Sequence, residues 1–531
     1  MLLGNLTNYP YSGNRKLVMG VKGAVATSQP LAAMAGMEML WAGGNAVDAA
    51  IATSIALTVV EPTSNGIGSD AFAIVWDGKL HGLNASGKSP QSLTFDKCVG
   101  LNHLPLTDWR SVTVPGAVSG WRALWSRWGR LPFEKLFAPA IRYAEEGFPV
   151  SPITSMTWKW AENTYMGLEG QEFKNFQKIF FPSGRAPYCG EIWSSPLHAQ
   201  TLQEIAQTGG KSFYQGQLAR KIADFAAQTG GYLTIDDLAS HQPEWVSPIS
   251  TNYHGLTVWE LPPNTQGIAT LIALNILSGC DLFKYPRESP QSYHLQIEAM
   301  KLAAADLYRY VADPRFVELE LSQLLSNEYA AQRRSLIGDS AIQEAYPGLP
   351  KGGTVYLAAA DGELMVSFIQ SNYMNFGSGI VPSDTGIALQ NRGSSFSLIP
   401  GHPNQLAPAK RPFNTIIPGF LTRDNQPIGP FGVMGGSMQP QGHLQMVVNM
   451  VDYKMNPQTA LDAPRWQFLR GSTVSLEPNV NVDIAQTLID KGHDVRTTKE
   501  TFFGRGQIIC KHDQLLYAAS EPRADGLAIA Q

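Results

Sequence analysis

Charge is scarce in this chain. Only 16% of its 531 residues are Asp, Glu, Lys or Arg, against roughly 25% in an average globular protein, so much of the sequence must be buried or turn-forming. That composition excludes a disordered or acidic-tail protein. The 40 Lys and Arg face 44 Asp and Glu, for a net charge of −4, and form no cluster. Without a basic patch to neutralise phosphates, nucleic acid is not expected as a partner. Cysteine is scarce as well: Cys98, Cys189, Cys280 and Cys510 are widely separated and form no CxxC pair, which excludes a disulfide scaffold and fits a reducing compartment. The longest apolar helical candidate, 49–60, is bounded by Asp48 and Glu61 and falls short of the about 20 residues that cross a bilayer. The opening residues carry no apolar core of a secretory signal. The expectation is a soluble, cytoplasmic protein without a membrane partner.

Familiar chemical signatures are absent too. There is no GxGxxG after a strand, no GxxxxGK[ST], no GxSxG and no HExxH, so the usual nucleotide, α/β-hydrolase and zincin routes lack support and no cofactor is expected. His294 and Glu298 lie one helical turn apart. No third metal-ligating residue accompanies them in the sequence, so they read as neighbours on an amphipathic helix, and no catalytic metal is expected.

What is present suggests one large body, since no linker or internal repeat divides the chain. A strand from Ala24 leads to a helix over 31–41, with Pro30 at its start and Gly43-Gly44 as its stop. A second helix, 46–60, has Asn45 as N-cap and is apolar on nearly every side, which predicts a core helix between layers. A Gly-rich turn then precedes a strand over 71–76 and an Asp77-Gly78 turn. Helix is expected to dominate 131–329, including 292–311. The segment AYPGLPKGG, 345–353, holds two prolines and three glycines, enough to keep it irregular and exposed. Directly after it, TVYLAAADGELMVSFIQS gives two β-rich runs joined by Asp361-Gly362, a strong hairpin signal. The remainder alternates strands with short helices near 443–453 and 457–462. The class is α/β or α+β with much antiparallel sheet.

Two junctions could carry chemistry. Thr354 opens a strand after a flexible loop. A threonine hydroxyl is protonated at neutral pH, but a cut before it would free an α-amine with a pKa near 8, which can serve as the hydroxyl's own base. Gly353 would present little barrier to the strained turn such a cut requires. This spacing by itself also fits an ordinary strand-opening threonine. The second junction is Gly435-Gly436-Ser437, a strand end before a helix, where amides could face a developing negative charge or simply permit close packing.

Several segments together resemble the γ-glutamyltransferase (glutathione hydrolase) family of N-terminal-nucleophile hydrolases: VATSQPLAAMAGMEMLWAGGNAVDAAIATSIALTVVEPTSNGIGSDAF, VPGAVSGW, LFAPAIRYAEEGF, LPPNTQGIATLIALNIL, HLQIEAMKLAAADLYRYVADP, the Thr354 junction, RPFNTIIPGF, MGGS and NPQTALDAPRW. They cover nearly the whole chain in family order. The resemblance implies an α+β fold, a four-layer αββα sandwich, made as a proenzyme that cuts itself between Gly353 and Thr354 into chains 1–353 and 354–531, which stay associated. It further implies Thr354 as nucleophile, Gly435 and Gly436 as oxyanion donors and Asn372 as support for the threonine. The YMNFGSG stretch is one residue longer than usual, so Ser371 or Gln370 could share that role. Tyr356 stands where many members have His.

The implied substrate pocket departs from the family pattern. Ser86 occupies the place of a carboxylate-binding arginine, Arg392 and Ser395 the places of groups for the α-amino end, and Asn414 and Thr415 the places of paired serines. Losing an arginine and an acid there should cost a few kcal/mol of glutamate recognition, at roughly 1.5–3 kcal/mol per charge-assisted contact. Arg392 could instead clamp a carboxylate from another side, or form a structural salt bridge. Together with MQPQGH, 438–443, this resembles the branch with oxamate amidohydrolase-like and cephalosporin-acylase-like members. Lys88 is read as a surface cation. The resemblance thus implies an amidohydrolase or acyltransferase acting on small-molecule amides, with γ-glutamyl compounds such as glutathione first, another carboxylate-bearing amide second, and a non-catalytic scaffold as the alternative from another class.

Overall fold

The computed structural model describes residues 4–11, 15–344, 353–498 and 503–531. The loop expected over 345–353 lies outside them except for Gly353. Two seven-stranded sheets carry the architecture. In chain order their strands are β1 (Val18–Gly20), β2 (Gly23–Thr27), β3 (Asp70–Trp76), β4 (Leu80–Asn84), β5 (Glu244–Val246), β6 (Ile249–Tyr253), β7 (Leu256–Glu260), β8 (Gly353–Asp361), β9 (Met365–Tyr373), β10 (Gly419–Arg423), β11 (Gln426–Met434), β12 (Arg505–His512), β13 (Leu515–Ser520) and β14 (Leu527–Ala530). One sheet runs β14-β2-β8-β9-β3-β4-β5 and the other β1-β13-β12-β11-β10-β7-β6.

Period-two alternation sorts these strands into layers. Along β8, Val355, Leu357 and Ala359 pack outward with helices α1 (Pro30–Trp41) and α2 (Ala46–Val60). Tyr356, Ala358 and Ala360 point the other way, into a cluster with Phe420, Met434 and Ile509 of the second sheet. From that sheet, Phe431 and Val433 of β11 face outward, onto α3 (Gly267–Leu277), α4 (Pro290–Tyr310) and α5 (Gln439–Val451). The result is the expected αββα order, helix, sheet, sheet, helix. Each fully buried Leu, Ile or Phe contributes about 1.5–3 kcal/mol by leaving water. Helix α2 has no buried residue to spare for a polar stripe: all fifteen of its residues are buried, because the helix lies between a sheet and further helices.

Local signals hold at the element ends. Asn45 Oδ1 accepts from the amides of Val47 and Asp48, and Asp48 returns a bond to the Asn45 amide, closing a capping box. Asp361 anchors the predicted hairpin by accepting from Glu363 and Leu364, and its other oxygen accepts from Ala46 at the start of α2. Helix dominates 131–329 as expected, and β5, β6 and β7 interrupt it between 244 and 260. These strands lie at or near the sheet edges, half buried, where the apolar signal is weak. The helix expected near 443–453 begins earlier, at Gln439, because Pro440 fits a first helical turn, where its missing N–H is not needed.

Candidate active site

The start of β8 is irregular. Gly353 pairs with Tyr373 and Val355 with Gln370, so Thr354 faces a β-bulge of two residues, Ser371 and Asn372, on β9, and bulges re-aim side chains out of the regular ladder. Thr354 is fully buried. Its Oγ1 donates to Ser371 Oγ at 3.3 Å and accepts from Gln439 Nε2, also at 3.3 Å. Gln439 is the first residue of α5 and also accepts from the Ile417 amide at 3.0 Å.

The alternation of β9 decides which neighbour supports the threonine. Ser371 shares parity with Met365 and Ile369, which face the second sheet. Gln370 and Asn372 point to the helical side: Gln370 bonds Asn65 at 2.7 Å and Trp121 at 3.1 Å, while Asn372 accepts from Ser69 Oγ at 2.8 Å and donates to the Phe376 carbonyl at 3.1 Å. Among the described residues, Ser371, which the sequence allowed to share the supporting role, bonds Thr354, while the side-chain bonds of Asn372 go to Ser69 and Phe376.

The glycine pair lies where β11 gives way to a 3₁₀ turn, Gly436–Met438, that runs into α5. Gly435 and Gly436 have φ of 134° and 61°, a backbone that side-chain-bearing residues rarely adopt. Their amides belong to the first turn of the helical stretch, where N–H groups have no partner within the helix. Gln266 ties this turn to the rest of the site, its Nε2 donating to the Gly436 carbonyl at 2.8 Å and to the Thr415 carbonyl at 2.5 Å.

Asp70 pairs across the sheet with Ser371 and so shares its face. Its carboxylate accepts from the Gly87 amide at 3.0 Å and from Asn414 Nδ2 at 3.2 Å. Arg392, fully buried, donates through Nη1 to Thr415 Oγ1 at 2.7 Å and stacks over Tyr373, with its charge 4.3 Å from the ring centroid. Its Nε lies 3.9 Å from Asp70 Oδ2, an ion-pair distance too long for a hydrogen bond. Among the described residues, Nε and Nη2 are buried donors without a hydrogen-bond partner, and Gln266 Oε1 is a buried acceptor without one. Burial pushes Asp70 up to about 6, against the pull of Arg392, and pushes Arg392 down to about 10, so the guanidinium stays charged at neutral pH.

The structure thus brings Thr354, Ser371, the Gly435-Gly436 turn, Asp70, Arg392, Asn414 and Thr415 into one hydrogen-bonded neighbourhood. Two expected pocket residues are turned elsewhere. Ser395 Oγ lies 2.8 Å from the Arg392 carbonyl and 2.6 Å from the Phe413 carbonyl, so it fastens the chain that carries Arg392. Ser86 Oγ donates to Asn84 Oδ1 at 2.7 Å within an Asn84–Asn264 network. Tyr356 points between the sheets and bonds Ser367 at 2.8 Å. Residues that sequence reasoning left without a role are Asp70, Gln266 and Gln439. All three lie inside segments that resemble the family, but only their convergence in space identifies them.

A third metal-ligating residue does join His294 and Glu298. His493, distant in sequence, places Nε2 2.9 Å from His294 Nδ1. The cluster is internally bonded: His294 Nε2 donates to the Gly338 carbonyl at 2.8 Å, Lys301 lies 2.8 Å from Glu298, and Glu298 accepts from the Ile342 amide at 3.0 Å. Burial and the nearby Lys301 push His493 down to about 3, so it is neutral.

An αββα sandwich with a threonine at a strand head and a glycine-amide turn beside it defines a class, the N-terminal-nucleophile-type amidohydrolases, and this protein is one. Within that class the chain belongs to the gamma-glutamyltranspeptidase family, whose sequence model matches residues 32–531. It is 37% identical over 528 residues to the glutathione hydrolase-like YwrD proenzyme of Bacillus subtilis, covering 97% of this chain and 99% of that protein. It is 33% identical over 524 residues to the oxamate amidohydrolase proenzyme of Klebsiella pneumoniae, covering 95% and 98%. Among solved structures, the cephalosporin acylase from Bacillus halodurans superposes with a TM-score of 0.95 at 53% identity, covering 99% of this chain and 98% of that one.

Proposed function

We propose that this protein cuts itself between Gly353 and Thr354 and then hydrolyses amides whose acyl group carries a carboxylate. The observation that carries the reading is Arg392: a buried guanidinium with two unpartnered donors, bonded to Thr415 and linked through Gln266 to the Gly435-Gly436 turn. An unpaired buried donor costs about 1–3 kcal/mol, more when charged, and a substrate carboxylate would relieve that cost. In this reading Thr354 Oγ attacks the amide carbonyl while its freed α-amine takes the proton. The Gly435 and Gly436 amides hold the oxyanion, the amine leaves with the proton, and water releases the acyl group from Thr354. Ser371 and Gln439 orient Oγ.

The names of the relatives, an oxamate amidohydrolase and a cephalosporin acylase, support an acyl group of this kind. The glutathione hydrolase-like relative supports γ-glutamyl amides, and Asp70 beside Arg392 favours that second reading, because it could take the α-ammonium. The test is kcat/KM on γ-glutamyl, glutaryl and oxamic amides for wild type and Arg392→Gln. Loss of one charge-assisted contact predicts a roughly ten- to hundredfold fall for every carboxylate-bearing amide. Unchanged kinetics on all three would sink the clamp, and a wild type that never cleaves would favour a non-catalytic scaffold.

A further inference from the structure

A cavity of about 340 Å³ opens on the helical side of the first sheet. Its walls come from the helix Ala117–Trp128, the turn at Gly209-Gly210, the short helix Lys211–Gln215 and the segment 241–243. Three features give it a chemical character. First, Arg122 and Lys211 line it, and no Asp or Glu does. Second, among the described residues neither cation has an ion-pair or hydrogen-bond partner. Arg122 is held by stacking alone, 4.5 Å from the Trp125 ring centroid and 5.5 Å from that of Phe133. Gly209, at φ 58°, lets the chain pass close by, since a Cβ there would lie 3.1 Å from Arg122 Nη1. Third, His241 is 94% buried, donates through Nε2 to Ser119 Oγ at 2.9 Å and stacks on Tyr214, which fixes its ring as one wall of the cavity. Tyr214 OH donates to the Pro115 carbonyl and accepts from the Ser119 amide.

The cavity is separate from the Thr354 site yet wired to it. Ser119 Oγ lies 2.7 Å from the Gly116 carbonyl. The Gly116 and Ala117 amides both donate to the Ser69 carbonyl, at 2.9 and 2.8 Å, and Ser69 Oγ donates to Asn372. Ser69 and Asn372 are the chain neighbours of Asp70 and Ser371. At 340 Å³ the space is at the small end of ligand pockets, and unpaired cations with no carboxylate among them attract an anion. We propose that this cavity is a binding site for a small organic anion, a carboxylate or phosphate ester, distinct from the acyl site at Thr354. The apolar walls of Val118, Ala123 and Pro243 hold its carbon skeleton.

The test is calorimetric titration of glutarate, and separately of inorganic phosphate, into Thr354→Ala protein, so that nothing is turned over. Three further backgrounds are added: Arg392→Gln, Arg122→Gln with Lys211→Gln, and Arg122→Lys. The expected result is saturable binding of at least one probe that survives Arg392→Gln, weakens by roughly tenfold or more in the double variant, and is largely kept by Arg122→Lys. Glutarate alone would identify a carboxylate site, phosphate alone a phosphoryl site. Circular dichroism of the double variant guards against simple unfolding, with Arg122→Lys as the fold-preserving control. Binding of neither probe, or binding abolished by Arg392→Gln and untouched by the double variant, would overturn the proposal.

Discussion

At the residue scale, the proposed chemistry rests on one hydroxyl and its neighbours. Thr354→Ala should remain a single chain of 57.8 kDa by intact mass, while wild type separates into two chains. Ser371→Ala should slow both cleavage and turnover, because it removes the group that accepts the Thr354 hydroxyl bond. Asn372→Ala should act differently, lowering stability through Ser69 and Phe376. Asp70 supplies a pH dependence with a definite sign. Its folded pKa, about 6, lies above its ordinary value, so the proton is favoured in the fold. The associated stability is full below the ordinary carboxylate range and is lost as pH rises through about 6. Ionised Asp70 also competes for Arg392. A carboxylate product should therefore inhibit more strongly as pH falls through about 6, and Asp70→Asn should flatten that inhibition profile.

At the scale of elements, caps and clamps fix where the site forms. Replacing Asn45 by Ala should lower stability by about 1 kcal/mol, read from denaturant unfolding, since two amides at the head of α2 lose their acceptor. The His294–His493 cluster binds α4 to the segment 338–342 and to the strand that follows His493. The folded pKa of His493, about 3, lies far below its ordinary value. Its contribution is present above about 6.5 and is lost as pH falls towards 3, because only the unfolded chain takes the proton. The gap in Tm between wild type and His493→Gln should accordingly narrow below pH 6.5. Several elements were legible in the sequence for local reasons: α1 and α2 from Pro30, Asn45 and Gly43-Gly44, and the β8–β9 hairpin from Asp361-Gly362. The strands β5 to β7 were not, because half-buried edge strands carry little apolar signal.

At the scale of the whole molecule, the cut expected at Thr354 would run through both sheets. β8 is bonded on one side to β2 and on the other to β9, and β9 in turn to β3, so each sheet mixes strands from before and after residue 354. The two chains should therefore elute together in size-exclusion chromatography after cleavage and separate only in denaturant. Such a seam is held by ladder hydrogen bonds and by the apolar layer between the sheets, neither of which needs the chain to be continuous.

The sequence by itself determined the layered class, the core helices, the hairpin and the place of Thr354, Gly435 and Gly436, because those depend on short-range pattern: caps, turns, period-two alternation and the order of family segments. The tertiary structure alone decided which side chains meet. Whether Ser371 or Asn372 reaches Thr354 turns on a single residue of strand parity beside a bulge, and shifting by one residue exchanges the faces of a sheet. Asp70, Gln266 and Arg392 come from distant stretches, and so do His294 and His493. No local pattern records that Arg392 ends up buried with two donors unpaired, since burial and partnership are properties of the packed layers around it.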